Sequence, residues 1–162
     1  MFTEALLSDA RDLLTAARQA KVHIVTAESC TGGLIAALLT EIPGSSDVVE
    51  RGFVTYSNEA KQELLGVPEE LLRTQGAVSE PVCRAMAQGA LKNARAEISV
   101  AVTGIAGPGG GSPNKPVGLV YIGTASKAGD VIVREYRFGD IGRDQVRLRT
   151  VEKALELLRG CF

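Results

Sequence analysis

The sequence predicts an α/β fold: a three-layer α/β/α single domain with a mixed, mainly parallel sheet plus one antiparallel hairpin. Three observations predict it. VHIVTA (22–27) and EISVAVT (97–103) are short, β-branched runs of the kind buried in parallel sheets. Segments with helical apolar spacing alternate with them. The strand-like runs GLVYIGTAS and DVIVREYRF are separated only by Lys127–Ala128–Gly129, which predicts a hairpin.

The elements follow in order. Leu6, Ala10, Leu13, Leu14 and Ala17 share one helical face, so the first helix runs to near Ala20. After the strand at 22–27, a turn at Glu28–Gly33 leads into an apolar helix, LIAALLTEI, stopped by Pro43–Gly44. VVERGFVTY (48–56) is a second strand. Asn58 is expected to cap a short helix from Glu59, and Pro68 to open another. Ser79 begins a helix to about Ala94, with Val82, Met86 and Ala90 on one face. The strand at 97–103 runs into a long loop, 104–116, and then the hairpin. A last helix from about Arg143 buries Leu148, Val151, Leu155 and Leu158.

Length and composition narrow the class of protein. The 162 residues fit one domain, 1–162, with 45% apolar and 23% charged residues. A net charge of −1 gives no general attraction to nucleic acid or to an anionic membrane. Cys30, Cys83 and Cys161 are odd in number and lack CxxC spacing, which argues against a disulfide framework or zinc site and for a reducing compartment. No stretch approaches the ~18 apolar residues of a membrane span. The N-terminus lacks the basic and apolar regions of a signal peptide. A cytoplasmic protein is expected.

Five segments can carry chemistry. AESCTGG (27–33) lies where a buried strand turns into a helix, the place where ligands gather on open α/β sheets. Ser29 is a candidate nucleophile there, and the backbone amides of Cys30, Thr31 and Gly32 are candidate oxyanion donors. The same residues could simply cap and pack the helix. GSS (44–46) offers Ser46 as a second candidate nucleophile, or a plain turn. In FVTYSNEAK (53–61), Tyr56 ends a strand and Lys61 falls in the first turn of a helix. The helix dipole and burial both disfavour a cation there, which would make Lys61 a general base. In TGIAGPGGGSPNKP (103–116), Thr103, Gly104 and Gly107 can line a site, and Lys115 can meet a phosphate or solvent. Arg143, near the start of the last helix, suits a phosphate, or pairs with Asp140 or Asp144. His23, the only histidine, fits a packed or capping role better than catalysis. Cys30 is a rival nucleophile without an evident base. No cluster has metal-ligand spacing.

AESCTGG, PGSS, RGFVTYSNEAK, GAVSEP and GIAGPGGG, in this order and spacing, closely resemble the CinA C-terminal domain family in its stand-alone form. The resemblance runs from about residue 4 to 160. It implies a nicotinamide-nucleotide amidase. Such an enzyme converts nicotinamide mononucleotide to nicotinate mononucleotide and ammonia, recycling pyridine nucleotide toward NAD. It further implies a serine nucleophile and lysine base, no metal or other cofactor, and a homodimer. Lys61 matches the family's lysine, and Tyr56, Thr103 and Arg143 match supporting positions. Ser29 and Ser46 both lie in family motifs. Longer members carry an extra N-terminal domain with its own hydrolase activity, which this sequence does not contain. Two other readings stay open: a nucleotide-binding regulatory module without chemistry, and an amidase dependent on Cys30.

Overall fold

In the computed structural model, which describes all of Met1–Phe162, helix α1 (Glu4–Ala20) starts behind Thr3, whose hydroxyl accepts from the Leu6 N–H. Its predicted stripe, Leu6 to Ala17, is buried. The chain continues through β1 (Ile24–Glu28), α2 (Leu34–Thr40), a 3-10 turn at Ser45–Asp47 and β2 (Val49–Val54). Three helices follow: α3 (Asn58–Leu65), α4 (Glu69–Gln75) and α5 (Glu80–Lys92). Strands β3 (Ile98–Gly104), β4 (Leu119–Ser126) and β5 (Val131–Arg137) then lead to α6 (Arg143–Arg159).

The strands form one sheet in the order β2-β1-β3-β4-β5. β1 pairs in parallel with both β2 and β3, while β3–β4 and β4–β5 are antiparallel. Only β4 therefore runs against the other four strands. This is the predicted mixed sheet, with the hairpin adding the antiparallel part.

Two boundaries differ from expectation. β2 ends at Val54 rather than Tyr56, because the chain leaves the ladder after Thr55 N–H donates to Glu28 O. The α3 cap is Ser57, whose hydroxyl accepts from Ala60 N–H, so Asn58 is the first helical residue and not the cap. Serine satisfies an orphan amide as well as asparagine does, and the extended backbone required of a cap falls on Ser57.

Alternation along the strands assigns each side chain to a layer. Ile24, Ile98, Val100 and Val102 join α1, α2 and α6 in one core. Val25, Ala27 and Ala101 join α3, α4 and α5 in the other. α5 is tied to the sheet by the Ser99 hydroxyl, which donates to Ala87 O at 2.7 Å. It meets the end of α3 at Gly89, where an added Cβ would collide with the Leu65 carbonyl. The absence of a side chain there sets how closely α3 approaches α5.

Candidate active site

The same alternation that buries Val25 and Ala27 beside α3 and α5 sends Ser29 toward that face. Ser29 N–H donates to Val102 O at 3.1 Å, extending the β1–β3 pairing one step past Glu28. On α3, side chains tilt toward the helix start. Lys61 accordingly reaches back to the end of β2, where its Nζ donates to Thr55 O at 2.9 Å and lies 3.0 Å from Ser29 Oγ. Lys61 is 1% exposed, and no carboxylate pairs with it. Burial pushes its pKa down from the ordinary lysine value. As an ammonium it donates to the serine oxygen; as a free amine it can take the serine proton.

The turn after Ser29 is held from inside by Glu28, a fully buried carboxylate at the end of β1. It accepts from Thr31 Oγ1 (2.6 Å) and from the Ile35 and Ala36 amides at the start of α2 (2.9 and 3.0 Å). Gly32 N–H closes the turn on Ser29 O at 3.0 Å. The N–H groups of Cys30 and Thr31 donate to no protein acceptor, but only Cys30 borders the cavity beside Ser29 and Lys61. Thr31 is fully buried, and neither it nor Gly32 lines that cavity, so the Cys30 amide is the one placed to hold an oxyanion. Gly32's amide, spent on the turn, is not. The Cys30 thiol is buried and pushed up to about 12, so it stays protonated near neutral pH. The expected stabilisation of a thiolate at a helix start is overridden by desolvation.

A cavity of about 210 Å³ opens beside these groups. Of the sequence candidates, Ser29, Cys30, Tyr56, Lys61, Thr103, Gly104 and Arg143 line it; Asn58, Ala77, Val78 and Ala106 complete it. The only ionic side chains in the wall are Lys61 and Arg143, so the cavity favours an anionic occupant. Thr103 is turned into the protein, its hydroxyl donating to Ala77 O at 2.9 Å. Arg143 donates to Gly107 O and to the Tyr56 hydroxyl, each at 2.8 Å, rather than to Asp140 or Asp144. Tyr56 thus hydrogen-bonds to Arg143 and not to Lys61. Gly107, expected to line the site, does not border the cavity; it holds Arg143 through its carbonyl, and its positive φ of 84° suits glycine. Lys115 ties the glycine loop to α4 by donating to Gln75 O.

Ser46 lies elsewhere. It sits exposed in the 3-10 turn before β2, at the end of the sheet where Val49 pairs with Ile24. His23 is at that same end, its ring 3.1 Å from Glu97. With ~3.3 Å per residue, β1 separates His23 from Ser29 by roughly 20 Å. The single histidine is neither packed nor near the cavity. No three His, Cys, Asp or Glu side chains converge as a metal-ligand group.

Residues 7–162 match the CinA C-terminal domain. The chain belongs to the CinA C-terminal domain family. Among curated relatives, a putative competence-damage inducible protein of Caldicellulosiruptor bescii is 56% identical over 140 residues, 86% of this chain but 33% of that protein. The chain thus spans about a third of the length of the first such relatives it matches. The nicotinamide-nucleotide amidohydrolase PncC of Escherichia coli K12 is 55% identical over 136 residues, covering 83% of this chain and 81% of PncC. Among solved structures, the competence/damage inducible protein CihA of Agrobacterium tumefaciens superposes with a TM-score of 0.97 at 54% identity, over 99% of this chain and 97% of that one. The fold of this chain is therefore shared with that structure, and in this chain the cavity lies where residues following β1 and ending β3 meet Lys61 of α3 and Arg143 of α6.

Sequence reasoning missed Glu28, Thr55, Asn58 and Arg147 in and around this site. Glu28 carried a signal, since a carboxylate ending an apolar buried strand must find partners. Thr55 contributes only its backbone carbonyl, which no pattern of residue types reveals. Asn58 lost its signal by being taken for the cap.

Proposed function

We propose that this chain hydrolyses the carboxamide of nicotinamide mononucleotide, giving nicotinate mononucleotide and ammonia, with Ser29 as nucleophile and Lys61 as base. The observation that carries the reading is a buried lysine amine 3.0 Å from a serine hydroxyl, beside the unpaired Cys30 amide in the same cavity wall. The likeness to PncC over most of both chains supports the substrate.

Neutral Lys61 takes the Ser29 proton as Oγ bonds to the carboxamide carbon. The Cys30 amide holds the resulting oxyanion. The C–N bond breaks and ammonia leaves with the proton from Lys61. Water then attacks the acyl-serine, gives its proton to Lys61, and Ser29 recovers that proton as the C–Oγ bond breaks. Each proton and charge in this cycle has a residue for it, so the reaction as proposed calls on no metal or cofactor. Arg143 binds the substrate phosphate, with Tyr56 fixing the guanidinium and offering its ring to the pyridinium. A homodimer accompanies this reading on the strength of the family resemblance, and a cytoplasmic location on the strength of the cysteine pattern and the N-terminal sequence.

The test is ammonia release from nicotinamide mononucleotide by wild type and by Ser29→Ala and Lys61→Ala. Release that is lost in both variants is expected. A folded wild type that binds the mononucleotide and releases no ammonia would overturn the enzyme reading in favour of a binding module.

A further inference from the structure

Arg147 lies one helical turn after Arg143 on α6, so both face the same loops. Its Nε donates to Cys30 O at 3.1 Å and its Nη2 to Thr31 O at 3.0 Å. It is half-buried and pairs with no carboxylate. A guanidinium committed to two successive main-chain carbonyls gives up water without gaining a counter-charge, a cost that needs a return elsewhere. The return is in the turn itself. A trans peptide is planar, with C=O and N–H on opposite sides. Drawing the Cys30 carbonyl onto α6 turns the Thr31 N–H away from α6, off the side that Arg147 occupies. Glu28 grips Thr31 Oγ1 from within, so Thr31 is held by its side chain and by both adjoining carbonyls.

We propose that Arg147 is a positioning residue: its fork clamps the Cys30 and Thr31 carbonyls so that the turn, with the Ser29 hydroxyl and the Cys30 amide that border the cavity, keeps its place. Through α6 the clamp also fixes that turn relative to Arg143, and so relative to a bound phosphate. The inference rests on the amidase reading for its substrate, but not for its geometry. A loosened turn misplaces the Ser29 hydroxyl and the Cys30 amide and leaves phosphate binding intact, so kcat falls while KM holds.

The test uses two assays on wild type, Arg147→Ala and Arg147→Lys. One is steady-state hydrolysis of nicotinamide mononucleotide. The other is the rate at which a fluorophosphonate labels Ser29, in which Oγ bonds to phosphorus, fluoride leaves and Lys61 receives the serine proton. This labelling needs the nucleophile and the turn that carries it but no nucleotide. Arg147→Ala is expected to lose on the order of 10²-fold in kcat and in labelling, with KM nearly unchanged. Added guanidinium ion should restore part of the loss, and Arg147→Lys, without the fork, should fall between. A folded Arg147→Ala with wild-type kcat and labelling, or one changed in KM alone, would overturn the clamp. If Arg147→Ala does not fold, wild-type kcat in Arg147→Lys overturns it. Slow labelling of Arg147→Ala supports the clamp even if wild type releases no ammonia, a result that removes only the substrate reading.

Discussion

Lys61 Nζ and Ser29 Oγ stand 3.0 Å apart although 32 residues separate them in the chain. Strand alternation sends one toward the α3 face, and helix tilt sends the other back to the strand ends. Lys61→Ala and Lys61→Arg are both expected to lose at least about 10²–10⁴-fold in turnover, the usual contribution of a positioned base. Arginine keeps the charge but cannot give up its proton near neutral pH. Steady-state ammonia release decides it, and normal turnover in Lys61→Arg would remove the base from the mechanism.

The two serines separate cleanly. Ser29→Ala removes the hydroxyl facing Lys61 and should abolish turnover, whereas Ser46→Ala alters an exposed turn at the other end of the sheet and should leave it unchanged. Loss of activity in a folded Ser46→Ala would contradict the assignment. The sequence alone could not choose between them, because both lie after an apolar segment in glycine-flanked turns. The choice follows from the parallel β1–β2 register, which puts the entry to β2 beside the entry to β1. Much else was legible. The stripes of α1 and α5 and both central strands follow from period and β-branching, since burial acts on those patterns directly. What was hidden depends on the backbone or on the partner: the Thr55 carbonyl under Lys61, and Arg147, whose role exists only once α6 lies over the 29–33 turn.

Burial of Lys61 has a sign that stability can read. Its folded pKa is lowered, while the unfolded chain keeps an ordinary lysine value near ~10.4. Between the two, the unfolded state binds more protons, so this group makes stability rise with pH across that window. Below the folded pKa the charged amine carries its full burial penalty. Lys61→Met should therefore be more stable than wild type in mildly acid buffer, and the gap should narrow as pH climbs toward the unfolded value. Urea melts of both proteins at several pH values measure it; a gap that widens with pH would contradict the buried-amine account. The proposed base also predicts that kcat/KM rises with pH, with an apparent pKa below that of an ordinary lysine.

Gly89 controls the site from a distance. A methyl group there meets the Leu65 carbonyl, which is backbone and cannot swing aside. Gly89→Ala should push the end of α3 off α5 and destabilise the fold by about 1–3 kcal/mol, the usual cost of overpacking. Because Lys61 rides on α3, activity in the folded fraction should fall as well. A variant with unaltered melting and turnover would show that α3 yields freely.

Arg143 tests which part of the substrate the cavity recognises. It is bound to Gly107 O and to Tyr56 rather than to an acid, so its charge is uncompensated where an anion would enter. Arg143→Ala should raise KM for the mononucleotide roughly 10- to 100-fold, in line with loss of about 1.5–3 kcal/mol from a charge-assisted hydrogen bond. The dephosphorylated riboside, which cannot use that contact, should be handled equally by wild type and variant. Tyr56→Phe, which frees the guanidinium but keeps the ring, should show a smaller KM effect. Equal sensitivity of nucleotide and riboside to Arg143→Ala would mean that the arginine supports the Gly107 loop, and that the phosphate is held elsewhere.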